Sequence, residues 1–384
     1  MNTKGPFRTF DVAQGIKHLS AFVHISTCYV NAPMFDQRID EAIYPHPLGE
    51  PEAIYDMLTK MTYDEVRNYE RKVVLKTYPN TYTFSKSLTE HLINNRYKAM
   101  GLPLVIVRPS IVTAAVQEPV PGWVEGSAAA NKAVLSCALG HVQEWIGDEV
   151  GHIVTLSSCR PYFIFHITDR CLLISAPKKK TIKTDLIPVD IVAKTILLSA
   201  TTADRSQASP PIYHVGTSCL NPITWGLFGI YVAGFWRAQE KPRKRTSDDI
   251  RFDMFPVQEF KQRFDARFGE QIRTMAQNKD GKRLKIRISK AMAIPLTFKT
   301  FSCNQWFFDI TKTLAMDDAA PKELKSGLRR GLDWHRYMED YNVGVQDFIL
   351  REKVDRTIPI DYSVQPAPQP TQPAGPKLEV VARL

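Results

Sequence analysis

The chain has 384 residues, of which 44% are hydrophobic, 23% charged and 10% aromatic. That balance fits a globular protein of two domains, or one large α/β domain with an appendage, and excludes collagen-like and wholly disordered classes. The 50 Lys and Arg against 40 Asp and Glu give a net charge of +10, which suits an anionic partner: a nucleic acid, a membrane surface or a phosphate-rich ligand. The excess is concentrated, because residues 237–290 hold 16 Lys/Arg and 8 Asp/Glu, eight of the ten net charges.

Taken in chain order, the first third reads as alternating α and β. Residues 10–19 carry apolar positions at helical spacing (Val12, Ile16, Leu19), and AFVHI at 21–25 is a short strand. Residues 53–75 are charged with apolar positions near helical spacing. Pro79-Asn80-Thr81 then starts a helix that runs to about Tyr97 and ends at Met100-Gly101. LPLVIV at 102–107 is an apolar strand stopped by Arg108-Pro109. Strand, helix and strand at this separation make a βαβ unit, so the sheet should be parallel.

Residues 127–183 show no sustained period, and DLIPVDIVAKTILL at 185–198 reads as helix, with Pro188 or Asp190 near its start. The apolar run 223–236 spans 14 residues, short of the roughly 20 that a membrane helix needs, and reads as a buried or interfacial helix. The basic stretch 237–290 has little periodicity. Residues 304–352 return to helix, with Trp306, Trp334, Tyr337 and Tyr341 as core aromatics, and a Pro-rich tail follows. The expected division is a partial Rossmann-type domain over 1–236, a basic irregular segment over 237–290, a helical domain over 291–357 and a disordered tail over 358–384. The six cysteines are scattered, without C-x-x-C or zinc spacing, so a reducing compartment is the default. The first residues lack the charged-then-apolar pattern of a secretory signal.

The chemistry centres on Tyr82 and Lys86. An i, i+4 pair shares one helix face. A lysine ammonium there favours phenolate and lowers the tyrosine pKa, and it can also donate to ribose hydroxyls. A tyrosine so tuned can give a proton to a carbonyl oxygen while hydride arrives at carbon. The preceding strand ends in Ser26-Thr27, placing hydroxyls at the carboxyl end of a parallel sheet beside that helix, where ligands of such sheets bind.

FVHISTCYVN, PNTYTFSKSLTEHL, LVIVRPSIV and EPVPGW, in this order, resemble the alcohol-forming fatty acyl-CoA reductases, an extended branch of the short-chain dehydrogenase/reductases. DLIPVD, NPITWG and NQWFFDITKTLA…LDWHRYMEDYNVGVQDFIL continue the resemblance, the last being similar to the family's helical C-terminal domain. The resemblance implies an α/β Rossmann-type parallel sheet and NADPH-dependent reduction of long-chain acyl-CoA to the aldehyde and then the primary alcohol, with release of coenzyme A. By motif, Tyr82 is the proton donor, and Lys86 tunes it and binds ribose. Thr27, with Ser26 beside it, orients the carbonyl and lies against the cofactor. Pro109 and Ile111 line the nicotinamide, and Asn2 matches the asparagine opening the helix before the active-site strand. Peroxisomal or endoplasmic-reticulum membrane-surface association is also implied, and nucleic acid is not an expected partner.

The sequence departs from that pattern in three places. None of the 19 glycines forms G-x-x-G-x-x-G or G-x-G-x-x-G, the turn that brings a pyrophosphate to a helix N-terminus, so the chain reads as lacking roughly three βα units and as binding NADPH poorly. A substrate-side loop is replaced by the longer stretch between Trp123 and Asp185, with His141, Trp145, Cys159 and Cys171. Residues 237–290 are basic where the family shows apolar helices. A non-catalytic acyl- or membrane-interaction protein and another extended carbonyl reductase are the alternatives. Elsewhere His24 reads as a satisfied core histidine, Trp123 as packing at the substrate mouth, and Asp185 and Asp190 as helix caps or hydrogen-bond hubs.

Overall fold

A computed structural model describes residues 2–147, 182–239, 250–274, 279–352, 360 and 362. In chain order it begins with α1 (Lys4–Gln14), β1 (Phe22–Ile25), β2 (Arg38–Ile39), α2 (Pro51–Lys60), α3 (Tyr63–Tyr69), α4 (Leu75–Thr77), α5 (Thr81–Met100), β3 (Leu104–Pro109) and β4 (Ile111–Thr113). It continues with α6 (Ala129–Ala138), β5 (Glu144–Ile146), β6 (Lys183–Thr184), β7 (Leu186–Pro188), α7 (Val189–Ala200), β8 (Ile212–Val215), β9 (Ile223–Thr224) and α8 (Trp225–Ala238). The last elements are β10 (Asp253–Phe255), α9 (Val257–Arg273), α10 (Lys279–Cys303), β11 (Phe307–Phe308), α11 (Thr311–Ala319) and α12 (Trp334–Gly344).

The centre is a parallel sheet in the order β1-β3-β8. Phe22 pairs with Leu104 and Ile25 with Val107, while Ile106 pairs with Ile212 and Pro109 with Val215. Every residue of β3 is buried, as expected of a middle strand covered on both faces. Its run Leu104-Val105-Ile106-Val107 shows why the strand forms: β-branched residues fit the pleat, and burying each is worth about 1.5–3 kcal/mol. The crossover from β1 to β3 is completed by α5, which Asn80 caps by accepting from the Thr83 N–H at 2.9 Å and Gly101 ends at φ 60°. The βαβ unit read from the sequence is therefore present.

Three details differ from the sequence reading. The first helix lies earlier, at Lys4–Gln14, which leaves Ile16 and Leu19 beyond it. DLIP forms strand β7, paired with β4, before α7 begins; Pro188 ends the strand and stands as the residue before the helix. The basic segment is not irregular throughout. α9 buries Phe260, Phe264 and Phe268 at four-residue spacing, and α10 runs for 25 residues. The basic run Lys241-Pro-Arg-Lys-Arg245 within that segment, Cys159, Cys171 and the tail beyond 362 lie outside the described residues. The run 223–236 forms α8 and packs inward, burying Trp225, Phe228, Val232, Phe235 and Trp236. No described helix is long and apolar enough to cross a membrane.

α12 shares a core with α6 and α8, where Tyr337, Met338 and Tyr341 meet Val134, Phe228 and Trp236. Trp306, Trp334, Tyr337 and Tyr341 are all buried, in agreement with the sequence. Gly122 and Gly344 bring two backbones together here. A Cβ on Gly344 would stand 1.6 Å from the Gly122 carbonyl oxygen, so no other residue fits without displacing one segment.

Candidate functional site

Thr27, Tyr82 and Ile111 line one cavity of about 740 Å³, within the size range of small-molecule sites. Its walls come from the β1 and β3 tips, the start of α5, the segment around Trp123–Glu125, α6 and the end of α10, and they are mostly apolar. Trp123 lines it, as the sequence reading places it. Tyr29, Ser110, Asn131, Phe298 and Phe301 also line it and were not anticipated. Phe298 and Phe301 stand three apart on α10, a helical spacing that was visible, but nothing local says which cavity such a pair will face.

Tyr82 is half exposed at 49%, and no hydrogen bond holds its hydroxyl among the described residues. Burial raises its pKa above the ordinary tyrosine value, so the phenol keeps its proton at neutral pH. Lys86 does not act on it in the way the spacing suggests. The Lys86 Nζ donates instead to the Ile25 carbonyl at 2.8 Å, at the end of β1. Burial lowers the lysine's own pKa, with Glu90 acting in the opposite direction. The pair therefore provides a protonated phenol beside an anchored amine, rather than a phenol tuned downward by its neighbour.

Thr27 donates from Oγ1 to the Pro109 carbonyl at 3.2 Å and accepts from the Tyr29 N–H at 3.3 Å, which fixes its hydroxyl at the cavity wall. Ser26 is not among the cavity-lining residues. Successive side chains of extended backbone point to opposite sides, so only one of Ser26 and Thr27 can face the cavity; Ser26 is buried beside the Glu90 carboxylate. Asn2 donates from Nδ2 to Ser85 Oγ at 3.0 Å, one residue before Lys86, and lies outside the cavity lining. Pro109 contributes its carbonyl to Thr27, and Ile111, opening β4, is the apolar wall residue of that pair.

Beneath the site runs a buried polar network. Arg108 bonds both carboxylate oxygens of Glu90, donates to the Ala42 carbonyl at 2.9 Å and faces His214 Nε2 at 3.0 Å. The His214 Nδ1 meets the Asp309 carbonyl at 2.8 Å, so that nitrogen carries the proton and Nε2 accepts from Arg108. Burial and the Arg108 charge lower the His214 pKa to about 3. His24 is buried in β1 but is not satisfied: its Nε2 has no partner among the described residues, and burial lowers its pKa to about 4. Asp185 and Asp190 are hubs rather than caps. Asp185 accepts from the Thr217 and Ser218 N–H groups and the Thr217 hydroxyl, and Asp190 accepts from the N–H groups of Val116, Gln117 and Glu118.

Thr27, Tyr82, Lys86, Pro109 and Ile111, expected from the resemblance to face a nicotinamide, are gathered around the carboxyl ends of β1 and β3, an arrangement that fits such a group. A glycine-rich turn to receive its pyrophosphate is not in this sequence.

A parallel sheet with a Tyr/Lys helix at the carboxyl end of its strands defines a Rossmann-type α/β protein of the short-chain reductase class. The sequence pattern of the male sterility protein family, an NAD-binding family, matches residues 1–196. The chain belongs to that family, which is the family of the fatty acyl-CoA reductases. It is 26% identical over 351 residues to fatty acyl-CoA reductase 2 of Homo sapiens, covering 89% of this chain and 60% of that protein. It is 25% identical over 363 residues to fatty acyl-CoA reductase 1 of Xenopus laevis, covering 89% and 61%. Among solved structures it is similar to the terminal R domain from the myxalamid PKS-NRPS biosynthetic pathway, with a TM-score of 0.47 and 13% identity over 85% of this chain and 57% of that one. The chain spans about 60% of the length of these two reductases.

Proposed function

We propose that this chain carries the proton-donor and acyl-binding part of an NADPH-dependent fatty acyl-CoA reductase, which converts a long-chain acyl-CoA to the aldehyde and then to the primary alcohol, releasing coenzyme A. The observation that carries this reading is the mostly apolar cavity of about 740 Å³ on which Tyr82, still a phenol, stands beside Thr27. NADPH, when bound, supplies hydride. The chain's own residues do the rest. Tyr82 gives its proton to the substrate carbonyl oxygen, and Thr27 turns its hydroxyl from the Pro109 carbonyl to the same oxygen. Lys86, anchored at the β1 tip, stands one helical turn from Tyr82, where an ammonium offsets the negative charge left on the phenol oxygen. Trp123, Val124, Phe298 and Phe301 receive the acyl chain and exclude water.

α9 and the first half of α10 place Lys261, Arg273, Lys282, Lys285 and Lys290 at the surface, with Ile272 and Ile286 exposed among them. Such a face suits an anionic membrane surface, from which an acyl-CoA would be drawn.

The test is alcohol formation from a radiolabelled long-chain acyl-CoA by the protein purified from its own source, with and without Tyr82→Phe. Substitution should abolish the alcohol while leaving acyl-CoA binding intact, and retained turnover refutes the assignment. A second reading, a non-catalytic acyl-binding protein, draws on the mostly apolar wall of the same cavity. NADPH titration by fluorescence separates the two, since only the reductase must bind it.

A further inference from the structure

We infer that Glu90 is a positioning residue of this site, a buried carboxylate one turn along α5 that favours the ammonium form of Lys86 at the β1 tip; the inference rests on the reading of Tyr82 and Lys86 above. The three residues follow one another at four-residue spacing along α5, so they share the helix face turned to β1. Glu90 is fully buried at 0% exposure, and so is its clamp Arg108 at 1%. Arg108 holds both carboxylate oxygens, and it is itself tied to the Ala42 carbonyl and to His214. The carboxylate can therefore neither swing outward nor recruit water.

The charge balance at Lys86 follows from this placement. Burial acts to strip its proton, and Glu90 is the group that acts to keep it. Burial would also neutralise Glu90, but the charge and hydrogen bonds of Arg108, with the Ser26 hydroxyl, more than reverse that and hold the carboxyl below its usual range. The remaining polar groups around the pair are Tyr82 on α5, His24 on β1, Ser26 just after it, Tyr78 before α5, and His214 behind Arg108. His24 stays neutral down to about pH 4 and adds no charge at neutral pH. An ion pair that merely pinned α5 to β3 would need no particular distance from Lys86. One turn away, on the same face, the carboxylate acts on the amine that the proposed reaction requires to be charged.

The experiment follows Lys86 directly, by NMR titration of its labelled side chain, assigned with Lys86→Arg. Glu90→Gln should move the lysine midpoint to lower pH in a protein whose circular dichroism is unchanged. Because that variant leaves Arg108 buried without its partner, Glu90→Gln/Arg108→Gln removes both charges together and should move the midpoint in the same direction by less, since loss of the Arg108 charge acts the other way. Glu90→Asp keeps the charge, draws it back by one methylene and should move the midpoint part of the way. A Lys86 midpoint that stays in place in any folded member of this set overturns the inference. The readout needs no turnover. A midpoint that moves while Tyr82→Phe leaves alcohol formation intact would uphold the role of Glu90 and refute the proposed reaction.

Discussion

Acid should destabilise this protein well above the pH at which its carboxylates titrate, because three buried histidines are held neutral. His24 and His46 have pKa values lowered to about 4 and His214 to about 3, by burial first, with His91 adding to it at His46, Arg108 adding to it at His214 and Glu90 opposing it at His24, against an ordinary value of 6.5. The unfolded chain takes up protons on all three as pH falls below 6.5, while the native state does not. Stability is therefore complete above 6.5 and declines through the window from 6.5 to about 4. At about 1.4 kcal/mol per pKa unit, each histidine costs about 2 kcal/mol at pH 5 relative to pH 8, about 6 kcal/mol for the three. That is comparable with the whole stability of an ordinary domain, about 5–15 kcal/mol. Glu41, Glu144 and Asp253, whose pKa values burial raises, act with the opposite sign and offset part of the loss near the lower end. Guanidinium unfolding curves at pH 8, 7, 6 and 5, followed by tryptophan fluorescence, measure the effect. His24→Leu isolates one member: Nε2 has no partner to lose among the described residues, and the pH 8 to pH 5 loss should shrink by about 2 kcal/mol. A loss below about 2 kcal/mol in the parent, or an unchanged loss in the variant, would show that these imidazoles are not held neutral.

Two further substitutions test the packing. Gly344→Ala should unfold the protein or lower its melting temperature by many degrees, because the added carbon meets the Gly122 carbonyl at 1.6 Å; a shift of a degree or two would mean the two segments separate freely. Asp190→Ala orphans three backbone N–H groups at Val116, Gln117 and Glu118, and at about 1–3 kcal/mol for each group left unsatisfied it should cost about 3 kcal/mol or more in equilibrium unfolding. A cost under about 1 kcal/mol would assign Asp190 to capping alone.

The βαβ unit was legible because its signals are local: an apolar run, an Asn80 cap, a Gly101 stop and a second apolar run. Tyr82 and Thr27 could be brought near each other for the same reason, since strand tips and helix starts can be counted along the chain, whereas Ile111 came only from the resemblance. Ser26 failed where alternation decides, and one step of register separates it from Thr27. What Lys86 bonds to was not legible, because Ile25 offers a backbone carbonyl that no side-chain pattern advertises. Cap and hub stayed open at Asp185 and Asp190 for a similar reason: an aspartate near a helix start looks like a cap until the loop it gathers is brought back from about 30 to 70 residues away. The helical nature of α9 was hidden by its charges, although its three phenylalanines keep a four-residue period.

The clasp between Gly122 and Gly344 carries a consequence for how such a cavity can diversify. Trp123, Val124 and Glu125, the next residues, are cavity wall. α12 grips the same wall again, Tyr337 reaching the Thr113 hydroxyl and the Ala114 carbonyl, and Tyr341 reaching Asn131. A helix that begins 252 residues after Tyr82 thus acts as the mould against which the chamber is cast. Under the proposed reaction, changes along α12 would reshape the chamber while leaving Tyr82 and Lys86 untouched, so that ligand fit and bond chemistry are free to drift on separate parts of the polypeptide.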